Sequence, residues 1–215
     1  MRKLFFRILY EIRLKFWISK FGMTDEERFD VVIQGDPIRY GTVLLALKDI
    51  EEGNISGDFA EVGVFKGKLS QFIRKYAPNR KIYLFDTFQG FPSQYTEDES
   101  DERFCNTSVE AVKKEVGDCT NVIFRIGEFP STARGLEMLR FSFVMLDLDL
   151  YEPTLEGLRF FYPRLNSGGY LFLHDYNSPE SNWAVKRAVT QFCKETMIYP
   201  ISLPDGHGSI VVRKP

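Results

Sequence analysis

With 215 residues, 44% of them apolar and 27% charged, the chain can bury one sizeable core, and its composition is neither disordered nor fibrous. A net charge of −2 argues against a general nucleic-acid binder. Cys105, Cys119 and Cys193 make no disulfide framework or zinc spacing and suit a reducing, cytoplasmic setting, and two histidines exclude a histidine-rich metal site.

Residues 1–22 stand apart. Arg2, Lys3, Arg7, Arg13, Lys15 and Lys20 face a single acidic residue, Glu11. Lys3, Arg7, Glu11 and Lys15 recur every four residues and make one polar stripe on a helix, with Leu4, Phe5, Ile8, Leu9, Ile12, Phe16 and Trp17 around it. Charges interrupt every apolar run, which excludes a transmembrane span and a signal-peptide core. Such a helix either lies peripherally on an anionic membrane or packs on the domain or on a second copy of the chain, as a homo-oligomer contact. Thr24 followed by acidic residues marks a helix start. Ile38, Val43, Leu44, Leu47 and Ile50 predict another helix over 37–51. The expected organisation is an N-terminal helical extension, 1–52, and one domain, 53–215.

Residues 57–70 read as a buried strand ending near Glu61, a glycine turn at Gly63 and Gly67, and a helix start. That is the entry of a doubly wound α/β domain, where ligands bind outside the carboxyl ends of the strands. A dinucleotide pyrophosphate wants glycines and a helix N-terminus, and position 65 is Phe where G-x-G-x-x-G needs glycine. Glu61 suits a cationic ligand. S-adenosylmethionine (SAM) fits, because it carries a sulfonium and an ammonium and no phosphate.

A strand over 81–85 ends at Asp86, placed to accept hydrogen bonds from ribose hydroxyls, with Thr87 and Phe88 following it at the cofactor site. The competing reading of Asp86 is a loop aspartate that caps a turn. Residues 93–106 are acidic and irregular, as in a lid or a disordered connection. A helix over 108–116 and a strand over 121–126 lead to Gly127 and Phe129, where an adenine would sit against the Phe129 ring unless that ring is core.

The apolar run 141–146 reads as a buried parallel strand. Period two places Asp147 and Asp149 on one side if the strand continues. A helix follows over 154–164, then a glycine turn at 167–169 and a strand over 170–173 that ends in His174 and Asp175. Oxygen ligands from two strand ends make a Mg²⁺ site of Asp147, Asp149, His174 and Asp175, and a mixed nitrogen and oxygen set also suits Mn²⁺. A helix over 182–194 and a hairpin over 198–213 close the chain. His207 lies in the hairpin turn, where solvent is its expected surroundings.

The stretches GDFAEVGVFKGKLS, FDTFQGFP, GEFPST, LDLDLYEPT, YPRLNSGGYLFLHDY and AVKRAV resemble the macrocin O-methyltransferase (TylF-type) family of SAM-dependent sugar O-methyltransferases. The resemblance implies a Rossmann-like, class I methyltransferase fold with a seven-stranded, mostly parallel sheet and a C-terminal antiparallel hairpin. It implies SAM bound by Glu61, Gly63, Gly67, Asp86, Thr87, Phe88, Gly127, Phe129 and Asp147. It further implies a Mg²⁺ that orients vicinal hydroxyls of a small-molecule or glycoside acceptor, with Asp147, Asp149 and His174 as catalytic residues. The family usually has Asp-Asp-Tyr where this chain has His174-Asp175-Tyr176. Imidazole is a poorer Mg²⁺ ligand than carboxylate, so His174 either alters the metal site or serves as a base without one. Two further readings stand beside this one: a non-catalytic partner protein that keeps the fold, and a nicotinamide-dependent oxidoreductase, against which Glu61 speaks.

Overall fold

The computed structural model describes residues 22–91, 103–117 and 120–215. The expectations for residues 1–22 and for the centre of the 93–106 loop lie outside these residues, apart from Gly22 and 103–106.

Helix α1 (Asp25–Ile33) starts at a capping box. Thr24 Oγ accepts from the Glu27 backbone N–H at 3.2 Å, and the Glu27 carboxylate accepts from the Thr24 N–H at 2.6 Å. Two of the unpaired donors of the first turn are thereby satisfied. Thr24→Ala should lower stability by about 1 kcal/mol in urea denaturation, and no measurable change would show that the box contributes nothing.

Helix α2 (Pro37–Glu52) has Asp36 as its cap and Pro at its first position. Then come β1 (Asp58–Val62), α3 (Lys68–Tyr76), β2 (Ile82–Asp86), α4 (Val109–Val116), β3 (Val122–Ile126), β4 (Phe141–Leu146), α5 (Tyr151–Phe161), β5 (Leu165–Leu173), α6 (Ala184–Thr196), β6 (Ile201–Ser202) and β7 (Ile210–Arg213). The seven strands lie in the order β3-β2-β1-β4-β5-β7-β6. β1 to β5 are mutually parallel, while β7 runs antiparallel to β5, and β6 to β7. This is the seven-stranded, mostly parallel sheet with a closing hairpin that the sequence implied.

Alternation along the strands sends side chains to two cores. Phe59, Leu84, Phe143, Met145 and Phe172 pack with Val43, Leu44, Leu47 and Ile50 of α2 and with Phe72 and Ile73 of α3. On the other face Val62, Phe85, Val144, Leu146, Leu171 and Leu173 pack with Leu155, Leu158 and Phe161 of α5 and with Val185, Val189 and Phe192 of α6. Helix α2 is therefore a layer of the domain rather than part of an extension ending at residue 52. Its residues Val43, Leu44 and Ile50 have no solvent exposure.

Two expected boundaries shift for visible reasons. The helix read over 154–164 begins at Tyr151 and ends in a 3-10 turn, Tyr162–Arg164, where Pro163 lacks the N–H that would extend the α ladder. The glycines at 168–169 lie inside β5, which begins at Leu165 and shifts register against β4 between Phe141 and Phe143. No helix among the described residues is long and apolar enough to cross a membrane.

Candidate active site at the carboxyl ends of the strands

The strand order reverses at β1, since the chain moves outward through β2 and β3 and then returns to β4 and β5. Such a reversal leaves a crevice at the carboxyl ends of the strands. Four backbone bonds continue the ladder one step past the strands: Gly127 N–H to Asp86 O, Gly63 to Phe85, Asp147 to Val62 and His174 to Leu146, at 2.8–2.9 Å. They set Asp86, Gly63, Asp147 and His174 along one rim. The cavity above them holds about 480 Å³, within the usual range for small-molecule sites.

Glu61 shares the face of Phe59 and points beneath α3, where the Ser70 hydroxyl donates to its carboxylate. Burial pushes the Glu61 carboxyl up to about 8, against the opposing pull of the Ser70 hydrogen bond and the Arg39 charge. Gly63 has φ +87°, and a Cβ there would stand 1.8 Å from the Asp147 carbonyl oxygen. The strand end can lie this close to β4 only without a side chain.

Asp86 lines the cavity, and its carboxylate braces the glycine loop. Oδ2 accepts from the N–H groups of Val64 at 2.7 Å and Phe65 at 2.8 Å, and Oδ1 from that of Phe88 at 2.7 Å. The turn-capping reading is thus realised in the geometry, with one lone pair of Oδ1 left for a ligand. Thr87 Oγ donates to Gly90 O at 2.7 Å. Gly127 and Phe129 line the cavity, with the Phe129 ring also packed among Phe85, Phe160 and Phe161.

Two expected cofactor residues do not line the cavity. Gly67 caps α3 against Val112 and Val116 of α4. Phe88 is buried in the core against Phe124, because its φ of +56° turns the ring away from the rim.

At the other side of the rim, β4 stops at Leu146. The condition for period two is thus not met, and Asp149 turns back at φ +58°, yet both Asp147 and Asp149 line the cavity. Asp175 turns likewise at φ +56°, a region that Asp tolerates better than most residues. Asp147 Oδ2 lies 2.8 Å from Arg39 Nη2, and its Oδ1 lies 3.2 Å from His174 Nδ1. His174 Nδ1 also lies 2.7 Å from Asp175 Oδ2, while Asp175 Oδ1 faces His207 Nδ1 at 3.1 Å. Burial alone would raise the Asp147 carboxyl, but Arg39 and His174 outweigh it and hold the group well below the usual carboxylate range. Burial works against charge on His174, yet Asp147 and Asp175 push it up to about 10. Burial, reinforced by the Asp147 and Asp175 charges, pushes Asp149 up to about 8.

Sequence reasoning missed Arg39, Tyr40 and His207 as lining residues. Arg39 stands in the first turn of α2, 108 positions from Asp147, and no local pattern links them. The His207 side chain is 54% exposed, in keeping with the solvated turn expected, and it also borders the cavity: Gly206 N–H donates to Asp36 Oδ2 at 2.9 Å, and Asn177 N–H donates to the His207 carbonyl. Phe104, from the segment read as irregular, packs edge-on against Phe65 and Phe91 at the mouth.

A doubly wound sheet with an antiparallel closing hairpin and a cavity at its reversal is the architecture of class I SAM-dependent methyltransferases. Solved structures agree: the O-methyltransferase NovP superposes with a TM-score of 0.70 at 23% identity, covering 83% of this chain and 80% of that one. The family model for Macrocin-O-methyltransferase (TylF) matches residues 38–209, and the chain belongs to that family. It is 29% identical over 140 residues to 8-demethyl-8-(2,3-dimethoxy-alpha-L-rhamnosyl)-tetracenomycin-C 4'-O-methyltransferase of Streptomyces olivaceus, covering 57% of this chain and 54% of the relative. It is 28% identical over 160 residues to mycinamicin III 3''-O-methyltransferase of Micromonospora griseorubida, covering 65% and 61%. The chain thus spans between about half and three fifths of the length of these curated relatives.

Proposed function

We propose that the chain is an SAM-dependent O-methyltransferase acting on a sugar hydroxyl of a small-molecule glycoside. The carrying observation is Glu61, a buried carboxylate at the sheet reversal beside a backbone that approaches without side chains. An ammonium or sulfonium would favour the ionised carboxylate and be held by it, whereas a phosphate would only strengthen its preference for the uncharged form. Relatives named for O-methylation of glycosidic compounds support the acceptor class.

SAM, when bound, would supply an electrophilic methyl carbon, so that a new C–O bond to the acceptor oxygen could form as the C–S bond breaks with its electrons left on sulfur. Glu61 and Gly63 hold the amino-acid end, and Asp86 keeps the loop around Gly63 in shape while offering its spare lone pair to a ribose hydroxyl. Phe129 and Gly127 give the base a flat wall. His174, hydrogen-bonded to two carboxylates through Nδ1, keeps its proton. Asp149 lines the cavity, and in its ionised form, above about pH 8, its carboxylate would take the proton from the acceptor hydroxyl. Much of the rate comes from holding the hydroxyl in line, as positioning does in general.

The expected Mg²⁺ set does not suit that ion. Mg²⁺ asks for free oxygen ligands in octahedral array. Asp147 already answers Arg39 and His174, Asp175 answers His174 and His207, and His174 offers an N–H where a lone pair is required.

Calorimetric titration with SAM, in buffers of different ionisation heat, tests the proposal. Glu61 is held uncharged up to about 8 when folded but ionises near 4.5 when free in solution. Its folded pKa is raised, so its contribution to stability without ligand is full below pH 4.5 and declines as pH rises to about 8. A cationic ligand reverses this preference. Binding at pH 7 should release a proton, and affinity should rise about tenfold from pH 7 to its plateau above pH 8. Glu61→Gln should remove the release and the pH dependence. Absence of SAM binding would overturn the proposal, and NADH binding in its place would favour the oxidoreductase reading.

A further inference from the structure

We propose that Arg39 is a built-in cation that takes the place of a divalent metal at the ends of β4 and β5, so that methyl transfer by this chain needs no divalent metal. The inference rests on the methyl-transfer reading above.

The ligand atoms of Asp147, His174 and Asp175 lie within 4.8 Å of one another, close enough to surround an ion. Spacing therefore leaves the matter open, and charge decides it. Arg39 Nη2 lies 2.8 Å from Asp147 Oδ2. A guanidinium cannot lose its proton in a protein, so this positive charge is permanent. It is also fixed in place. Asp36 accepts from the Arg39 backbone N–H at 3.1 Å and, with its other oxygen, from Gly206 N–H, which ties the start of α2 to the hairpin that carries His207.

The remaining oxygens are matched as well. Asp147 Oδ1 faces His174 Nδ1, Asp175 Oδ2 faces the same nitrogen, and Asp175 Oδ1 faces His207 Nδ1. Carboxylates only accept, so the His174 nitrogen between two of them carries hydrogen and has no lone pair for a metal. A Mg²⁺ entering this cluster would have to part Asp147 from Arg39, leaving two cations in one site with limited access to water. Arg39 lines the cavity, so its fixed positive charge lies beside whatever oxygen enters it. An acceptor hydroxyl losing its proton there would meet the positive charge that a metal otherwise supplies.

The test is Mn²⁺ binding to the full chain, followed by electron paramagnetic resonance, with SAM calorimetry on the same samples. The wild type should hold no stoichiometric Mn²⁺ at concentrations that saturate a typical carboxylate site. The Arg39→Ala/His174→Asp variant, which removes the fixed cation and adds a carboxylate, should bind Mn²⁺ at least about tenfold more tightly. Arg39→Lys, which keeps the charge, should behave as the wild type. A structural role for Arg39 would not create a metal site. Stoichiometric Mn²⁺ on the wild type, or no gain in the double variant, overturns the proposal while leaving SAM binding intact. Loss of SAM binding by the wild type overturns the methyl-transfer reading and this inference with it.

Discussion

Gly63→Ala is expected to lower stability by roughly 2–5 kcal/mol and to eliminate SAM binding in whatever fraction still folds. Two costs combine. The residue sits at φ +87°, where a Cβ meets its own backbone. The same Cβ would also lie 1.8 Å from the Asp147 carbonyl oxygen, a backbone atom of a residue whose own N–H is bonded to Val62 O of β1 at 2.8 Å. To relieve the clash, β1 and β4 must part at the point where the proposed cofactor and acceptor sites meet. Gly135→Ala separates the two costs, because Gly135 has φ +83° but nothing within 4 Å of the added atom. It should lose only about 1 kcal/mol in urea unfolding. If both variants lose the same amount, the close approach of the strands contributes nothing and the argument for Gly63 fails.

The parts of the molecule legible in the sequence are those with a local period or a local chemical signature. The runs that became β1, β2, β4 and β5 are short and apolar and end in polar residues, and a buried parallel strand cannot look otherwise. Glu61 was legible because a carboxylate is out of place where a phosphate site would have glycine. The rim residues of four strands were legible because strand ends in a doubly wound sheet meet at one crevice. Arg39 was not, since its role depends on α2 crossing the sheet so that its first turn faces Asp147, and helical periodicity says nothing of crossing direction. His207 was read as solvated and is largely exposed, but nothing in the sequence showed that it also borders the site. Asp36, from a distant helix cap, and the Asn177 backbone hold that turn beside the site, and neither contact has a local sequence signature. Asp149 reaches the site by a route that alternation does not predict: β4 ends at Leu146, and a turn at Asp149, with φ +58°, rather than the strand period brings it to the cavity.

Asp147→Ala is expected to reduce methyl transfer at least about a hundredfold and to lower stability by roughly 2–4 kcal/mol. Breaking a buried ion pair by removing one partner generally costs about 3–5 kcal/mol, because the other charge is left without water or counter-charge. The lower figure applies here because the Asp147 side chain is 23% exposed while that of Arg39 is 14% exposed. His174 would lose one of its two carboxylates at the same time and keep Asp175. If most of the loss is the stranded Arg39 charge, then Asp147→Ala/Arg39→Met should be more stable than Asp147→Ala alone, although it removes more contacts. Urea unfolding of the two single variants and the double variant gives the coupling directly. Additive losses would show that Arg39 and Asp147 do not depend on one another, and the fixed-cation reading would fall with them. Activity separates the pair in the other direction: restoring stability in the double variant should not restore turnover, because the positive charge proposed to meet the acceptor oxygen is then absent.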